Sequence, residues 1–276
     1  MNEHIFSAEM ETWQAQRLAS LRSPNGFLSL VGLCWLQMGV NQLGSADANS
    51  CIFPAGLPDR IGTLTVSETA MQLTIADGVH ATHKGAPIDS LTLYADSDPN
   101  GPTIIEHGSV SWFVIKRGDA LGIRIRDTDS ALLQRFAGVD RFPEDVAWRI
   151  SAEFQPHLTP HTVPIPTILG TNADMLSPGV VKLSYQGHTQ TLTALSSADS
   201  KRLFLIIADK TTGQDSYGGG RFLTTEAIDE NNQVLIDFNK ATNPPCAFSP
   251  YATCPRPPAE NRLPFAILAG EKTFHY

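Results

Sequence analysis

The chain has 276 residues, of which 42% are hydrophobic and 17% charged, enough for one large or two ordinary domains. Its 20 basic and 28 acidic residues give a net charge of −8, so neither nucleic acid nor an anionic membrane is expected as a partner. Four cysteines in a chain of this length exclude a disulfide scaffold.

The first residues do not resemble a secretory signal, because they lack a basic start and an apolar core. The longest early apolar run, residues 27–36, is about half as long as a bilayer span. These features predict a cytoplasmic protein with reduced thiols. In it, Cys34 and Cys51 would be small hydrophobic core residues.

The first predicted element is an amphipathic helix over residues 7–21, where apolar residues recur at helical spacing. Ser7 is its predicted N-cap, and the Ser-Pro-Asn-Gly sequence at 23–26 ends it. A second, short helix is predicted over residues 130–136, with Ser130 as its cap.

The rest of the chain predicts short strands. Apolar and polar residues alternate, and turn signals such as Asp77-Gly78 separate the runs. Many short strands with frequent turns are typical of a sandwich or a barrel. The predicted strands are 63–66, 71–75, 90–95, 112–116, 122–126, 146–154, 162–168, 180–185, 189–195, 203–208, 221–225 and 234–238.

We therefore expect a mainly β protein in which an N-terminal amphipathic helix precedes two β-rich lobes, each a sandwich or barrel. The predicted divisions are residues 1–36 (helix and apolar segment), 37–128 (first lobe) and 129–276 (second lobe). With GVNQLGS, an Asp-Gly turn and GIRIRD, the first lobe faintly resembles a forkhead-associated sandwich. It lacks the arginine and the Ser-x-x-His pair with which such domains hold phosphothreonine.

Residues 237–272, here called the C-terminal strap, contain seven prolines, which disfavour both helix and central strand. A loop of this length is either disordered or functional. Its aromatic residues disfavour disorder, because these side chains are usually buried. The second lobe is therefore predicted to end in a long, ordered, proline-rich loop that borders a site.

The strap contains the strings DFN, NPPCAF, TCP, PPAEN and AGEK, and SYGGGRFL lies just before it. GFLSLVGLCWL, GIRIRD and FPEDVAWRI occur earlier in the chain. Together these strings resemble the domain of unknown function 1684 family of bacteria and archaea. The resemblance implies no activity, so the chemistry has to be inferred from the residues themselves.

Arg124 and Arg126 are predicted on one face of the strand at 122–126, because side chains alternate along a strand. Two guanidinium groups in that arrangement could bind a carboxylate or a phosphate. The alternative is a solvated strand face, or an ion pair with Asp127 or Asp129.

A second group of candidates begins where a continuous apolar run, typical of a strand covered on both faces, ends at Asp209. Tyr217 and Arg221 flank the triple glycine at 218–220, which allows close approach of the backbone. The tyrosine and the arginine would hold an anionic group. Alternatively, Arg221 pairs with Asp209 or Asp215 beside a turn.

The candidates for catalysis lie in the strap. Asp237 and Asn239 share a face at the end of a strand, where Asp237 would act as a general base or orient Arg221. A turn-stabilising role is the alternative. Cys246 and Cys254 are interpreted as structural thiols, a reactive thiol, a disulfide or a metal site, and Cys254 is the candidate nucleophile.

The sequence carries no signature of a metal site or of a cofactor site, so we expect neither. The eight histidines show no metal-ligand spacing. The sequence has no nucleophile elbow, no dinucleotide fingerprint and no phosphate-binding P-loop.

We expect the strap to form one wall of a pocket for a small anionic metabolite. One alternative is a hydrolase or lyase that uses Asp237 or Cys254 with an arginine-stabilised oxyanion. Another is an interaction module in which the strap caps a sheet. The oligomeric state stays open. The predicted lining is Tyr217, Arg221, Asp237, Asn239, Tyr251 and Asn261, and the further candidate binding residues are Arg124, Arg126 and Asp209.

Overall fold

The computed structural model describes residues 3–196 and 200–275. The chain forms two compact units, one of Met1–Leu18 with Ala137–Tyr276 and one of Ala19–Phe136. The divisions predicted at 36 and 128 stay predictions. The mainly β fold with an N-terminal helix is confirmed. Within the described ranges, no helix is both long and apolar enough to cross a membrane.

The N-terminal helix, α1, runs over Glu3–Arg22. It begins before Ser7, so the predicted N-cap at that residue is wrong, and Ser7 is an exposed residue within the helix. Phe6 and Met10 are buried, and Trp13 and Arg17 are half-buried on the same face. This spacing of three and four residues is that of one helical stripe, as the sequence predicted.

The Ala19–Phe136 unit contains eleven strands among its described residues. They are β1 (Leu30–Trp35), β2 (Gly39–Gly44), β3 (Cys51–Ile52), β4 (Gly62–Val66), β5 (Met71–Ile75), β6 (Ala81–His83), β7 (Ala86–Ile88), β8 (Ser90–Leu93), β9 (Ile105–His107), β10 (Val110–Arg117) and β11 (Ala120–Asp127). A short helix, α2 (Ala131–Arg135), follows, and Ser130 caps it as predicted, accepting a hydrogen bond from Leu133 N.

These strands form two sheets that share one hydrophobic core. One sheet has the order β1-β11-β10-β9-β6-β7 and the other β3-β2-β4-β5-β8. Trp112 of the first sheet and Leu64 and Leu73 of the second are fully buried together in that core. The period-two burial of β4 explains why this segment forms a strand with one apolar face.

Cys34 and Cys51 form a disulfide in this unit. The prediction of reduced thiols is therefore wrong for this pair, although Cys51 is buried in the hydrophobic core and Cys34 packs against it. The fold brings β1 and β3 close enough to place the two Cα atoms 5.5 Å apart, within the range of disulfides. A sequence separation of 17 residues gave no sign of this proximity.

The larger unit contains β12 (Arg149–Pro166), β13 (Asn172–Tyr185), β14 (His188–Ala194), β15 (Arg202–Ile207), β16 (Arg221–Ala227) and β17 (Gln233–Asp237). One sheet has the order β14-β13-β12-β17, and β15 pairs with β16. Most residues of the predicted strands at 146–154 and 162–168 belong to the single long strand β12, whereas Val146–Trp148 form a 3-10 helix instead of a strand. The apolar β15 is covered on both faces, as predicted, with Leu205 in the main core and Ile206 in a second cluster.

The strap packs against the main core of this unit. Phe238, Leu263, Phe265 and Ile267 are buried there among strand residues. Short 3-10 turns occur at Phe238–Lys240, Pro245–Ala247 and Ala259–Asn261. The strap is therefore ordered by hydrophobic burial as well as by its prolines, and it completes the core of the unit.

Candidate functional site

Arg124 and Arg126 lie in the Ala19–Phe136 unit, on β11. Ile123 and Ile125 are fully buried, whereas the two arginines are half-buried, as alternation along a strand predicts. Arg126 Nη1 donates to Gly26 O at 2.7 Å and to Ser29 Oγ at 3.1 Å. Burial lowers the pKa of Arg126. The described contacts of Arg126 hold the turn before β1, and a ligand-binding role for the pair stays a prediction.

Arg221 and Asp209 form an ion pair in the larger unit, with Arg221 Nη2 at 2.8 Å from Asp209 Oδ2 and both side chains fully buried. Arg221 also donates to Ala269 O through Nη1 and to Ile267 O at 3.2 Å through Nη2. Asp209 Oδ1 accepts from Ile267 N at 3.1 Å. The pair thus fixes the end of the strap to the β15–β16 hairpin, which is the structural alternative that the sequence offered.

Asp237 and Asn239 stabilise the turn that begins the strap. Asp237 Oδ1 accepts from Asn239 N at 3.1 Å and from Asn239 Nδ2 at 2.9 Å. Asp237 Oδ2 lies 3.5 Å from Arg149 Nε and 3.7 Å from Lys240 Nζ. The Asn239 amide binds Asp145 N at 3.1 Å and Asp145 O at 2.9 Å. These contacts match the turn-stabilising alternative.

The remaining predicted residues of the strap region have separate surroundings. Asn261 is fully buried and binds the backbone of Thr193, accepting from its N–H at 2.7 Å and donating to its carbonyl at 3.0 Å. The Tyr217 hydroxyl donates to Cys246 O at 2.9 Å. Tyr251 is 38% exposed. Of the predicted lining, the structure brings Asp237 together with Asn239, and it gives Arg221, Asn261 and Tyr217 partners of their own.

The two cysteines of the strap remain thiols and lie next to each other. Cys254 Sγ accepts a hydrogen bond from Cys246 N at 3.2 Å. Cys254 is buried, whereas Cys246 is half-buried. A hydrogen bond with the Cys254 thiol is the main factor that lowers the pKa of Cys246 to about 7, against the effect of burial. Tyr217 and Arg256 lower it further.

A cavity of about 220 Å³ lies between α1 and the end of the strap. Antiparallel pairing brings Arg141 beside Glu271, with Phe142 N bound to Gly270 O at 3.0 Å and Lys272 N to Asp140 O at 2.8 Å. The cavity is lined by Gln14, Arg17, Leu18, Ala137, Gly138, Val139, Arg141 and Glu271. The strap therefore contributes Glu271 to the wall of a cavity.

Arg17 and Glu271 form the rigid side of this cavity. Arg17 Nε and Nη2 bind the two carboxylate oxygens of Glu271 at 2.8 and 3.2 Å, and Nη2 also donates to Asn243 O at 3.0 Å. Glu271 Oε2 accepts from Asn243 N at 2.6 Å, and Glu271 is 1% exposed. Two-pronged pairing of this kind fixes both side chains and neutralises both charges.

Arg141 forms the other side and is the cation that the sequence analysis missed. Its guanidinium lies 5.0 Å from the centroid of the Trp13 ring, and Nη2 donates to Asn239 O. Burial is the main influence that lowers the pKa of Arg141, and Glu271 and Glu144 act in the opposite direction. Of the three guanidinium nitrogens of Arg141, only Nη2 forms a hydrogen bond with a described residue. An arginine in an irregular segment after Asp140 carries no periodic signal that would have singled it out.

A more open cleft of about 520 Å³ lies on the other side of α1, near β16. Its charged side chains pair with one another. Lys240 Nζ lies 2.7 Å from Glu9 Oε1 and 3.2 Å from Glu226 Oε1, and Arg202 Nη2 lies 3.3 Å from Glu226 Oε2. A ligand ion would have to compete with these internal pairs, so we place the candidate site at Arg141. Among the residues that the structure describes, no cluster could hold a metal ion.

Residues 134–272 match the family described as "Protein of unknown function (DUF1684)". The chain belongs to this family. The DUF1684 match includes Arg141, Cys246, Cys254 and Glu271, whereas Arg17 lies outside it. The cavity is thus built from the family region and from the helix that precedes it.

Solved structures similar to this DUF1684 protein include the solution NMR structure of an uncharacterized protein of Haloarcula marismortui. That chain is 34% identical, with 51% of this chain and 78% of that chain covered and a TM-score of 0.43. The FhaA FHA domain complexed with the intracellular domain of Rv3910 is 18% identical. The match covers 34% of this chain and 97% of that chain, with a TM-score of 0.23.

A structure from a study of phosphothreonine-dependent FHA domain interactions is also 18% identical. The match covers 34% of this chain and 92% of that chain, with a TM-score of 0.23. The forkhead-associated likeness of the first lobe of the DUF1684 protein stays a prediction. No curated protein matches the chain.

Proposed function

We propose that this protein binds a small anionic molecule in the cavity between α1 and the end of the strap, with Arg141 as the residue that recognises the anion. The observation that carries the proposal is the contrast between two neighbouring arginines. Arg17 is held by both oxygens of the buried Glu271, whereas the Arg141 hydrogen bonds to described residues use one of its nitrogens.

The surroundings of Arg141 support recognition of a planar anion. The guanidinium lies 5.0 Å from the centroid of the Trp13 ring, a cation–π contact that helps to hold it in place. Gln14 adds an amide to the lining, although it donates to Glu144 in the structure. A volume of about 220 Å³ is below the usual range for drug-sized ligands, which favours a short carboxylate or phosphate.

The strap has a different part in this proposal from the one that the sequence predicted. It supplies Glu271 and holds Arg141 through Asn239 O, instead of lining the cavity with Tyr217 and Arg221. A hydrolase or lyase using Asp237 or Cys254 stays a prediction. Both of those side chains are buried and hydrogen-bonded within the protein, so we assign them no catalytic step.

Thermal unfolding with acetate, succinate, citrate and inorganic phosphate as probes tests the proposal. A probe at a hundred times its dissociation constant stabilises the native state by about 2.7 kcal/mol, which gives a readily measured rise in Tm. We expect Arg141→Gln to abolish the rise and Arg141→Lys to retain part of it, because lysine keeps the charge but loses the planar fork.

Arg202→Gln is the matched control, because it removes an arginine from the other cleft and should leave the response unchanged. The readout is the shift on adding the probe, so a lower starting Tm does not affect it. Absence of a response in the wild-type protein would support the interaction-module alternative. An unchanged response in Arg141→Gln would move the site elsewhere.

A location in the cytoplasm and the absence of nucleic-acid and membrane partners also stay predictions. The net charge of −8 supports the second of these. The Cys34–Cys51 disulfide counts against the first, because such bonds persist mainly in oxidising compartments. Thiol labelling of protein taken directly from cell fractions would test the location and the redox state together.

A further inference from the structure

Two thiols of the strap lie side by side at fixed positions. Cys246 N donates to Cys254 Sγ at 3.2 Å. The backbone on each side is anchored, since Cys246 O accepts from Tyr217 and Cys254 O accepts from Ile168 N at 3.0 Å. The two cysteines are therefore held next to each other by the fold.

The two thiols differ in access. Cys254 is 3% exposed, whereas Cys246 is half-buried. A thiol that attacks an external molecule has to be accessible, and the thiol that later displaces the product can be buried. The arrangement therefore assigns attack to Cys246 and resolution to Cys254.

We infer that Cys246 and Cys254 form a redox-active dithiol that reduces small hydroperoxides and closes into a disulfide within the strap. The inference is independent of the anion site. The thiolate is the reactive form of cysteine. A pKa of about 7 makes Cys246 roughly half thiolate at neutral pH, which supports its role as the attacking group.

The proposed reaction has two steps. The Cys246 thiolate attacks one oxygen of hydrogen peroxide, so that an S–O bond forms, the O–O bond breaks and the departing hydroxide takes up a proton as water. The Cys254 sulfur then attacks Cys246, forming the S–S bond and breaking the S–O bond, and the proton of Cys254 leaves with the hydroxide as a second water. The two thiols lose two electrons, and the peroxide gains them.

Mass spectrometry of the full chain after treatment with hydrogen peroxide tests the inference. In the wild-type protein we expect loss of two hydrogens from the peptide that contains both cysteines. In Cys254→Ser we expect a sulfenic acid at Cys246 that dimedone traps. The Cys34–Cys51 disulfide provides an internal control, because it should be unchanged in both proteins.

The pH dependence of alkylation by iodoacetamide gives a second measurement. At pH 7 native Cys246 should react about tenfold faster than an unperturbed cysteine. Cys254→Ser should keep this rate, because its hydroxyl still donates a hydrogen bond, and Cys254→Ala should lower it. Native Cys246 that reacts no faster than in denatured protein, or that oxidises to sulfinic acid without forming the disulfide, would overturn the inference.

Discussion

Arg221 and Asp209 form an ion pair whose two side chains are completely enclosed by protein, with 2.8 Å between Nη2 and Oδ2. The pair joins three segments, because Arg221 also binds the carbonyls of Ile267 and Ala269 and Asp209 also binds the N–H of Ile267. The strap is therefore attached to the β15–β16 hairpin by charge-assisted hydrogen bonds as well as by apolar packing.

We predict that Asp209→Ala destabilises the protein by about 3–5 kcal/mol, because it leaves the Arg221 charge buried without its partner. The double variant Asp209→Ala/Arg221→Met should recover part of this loss, since it removes the stranded charge and fills the space with an apolar side chain. Urea unfolding of the wild-type protein, both single variants and the double variant gives the coupling energy.

Additive losses in that cycle would contradict the prediction, because the two side chains would then be acting independently. A control outside the pair is Asp215→Ala, the other carboxylate that the sequence offered as a partner of Arg221. Its side chain is exposed, so a change within about 0.5 kcal/mol is expected.

Gly220 is the member of the triple glycine that the fold requires. Its φ is +87°, and an added Cβ would lie 2.6 Å from Ile207 O and 2.4 Å from Pro257 Cγ. Both contacts are closer than real Cβ atoms tolerate, and the φ itself is strained for other residues. We predict that Gly220→Ala destabilises the larger unit by more than about 1 kcal/mol.

Gly218→Ala is the matched control for Gly220, because a Cβ there meets no atom closer than 3.8 Å. Thermal unfolding of the two alanine variants should show a clear loss for Gly220 and a change near zero for Gly218. Equal losses of stability in the two variants would show that any side chain in the triple glycine is destabilising, and that the contact with Pro257 is not the cause.

The alternation of residues was enough to predict much of the fold, because it is a local property of the chain. The strands at 71–75 and 122–126 were predicted in this way, as was the covering of β15 on both faces. The N-terminal helix was predicted as well, but its start was placed four residues late. Ser7 looks like an N-cap in sequence, yet the preceding residues continue the helix.

Pairings between distant residues could not be predicted, since no local pattern encodes them. Arg17 and Glu271 are 254 positions apart in the sequence, and the Cys34–Cys51 bond depends on the meeting of two strands. The candidate site depends on both kinds of information. The strap was predicted as its wall from its prolines, whereas Arg141 became visible once the fold had placed it beside Glu271.

The Cys34–Cys51 disulfide should stabilise the Ala19–Phe136 unit by about 3 kcal/mol, because it closes a loop of 17 residues in the unfolded chain. Hydrogen exchange of peptides from this unit, followed as urea is increased, measures its unfolding separately from that of the larger unit. Cys34→Ala/Cys51→Ala should unfold at lower urea. Dithiothreitol should lower the urea midpoint of this unit in the wild-type protein and leave that of the variant unchanged. A wild-type midpoint that does not respond to dithiothreitol would contradict the prediction.

Glu9 should make the free energy of unfolding depend on pH in the acidic range, and Lys240 should do so in the alkaline range. The hydrogen bond from Lys240 lowers the pKa of Glu9 below 4.5, with Arg149 adding to the effect against burial. This contribution is full above about pH 4.5 and is lost as the pH falls through the folded-state pKa. Burial by itself would lower the pKa of Lys240, but hydrogen bonds to Glu9 and Glu226 raise it above 10.5, so its contribution is lost as the pH rises through that higher value.

We predict that Glu9→Gln lowers the urea midpoint at pH 7, because two cations lose their shared partner. The difference from the wild-type protein should shrink as the pH is lowered from 7 towards 3, because the wild-type carboxyl itself takes up a proton as the pH falls through its folded-state pKa. Glu11→Gln, on the exposed side of α1, should match the wild-type protein at both pH values. If Glu9→Gln lowers the urea midpoint as much at pH 3 as at pH 7, the loss of stability comes from packing and not from charge.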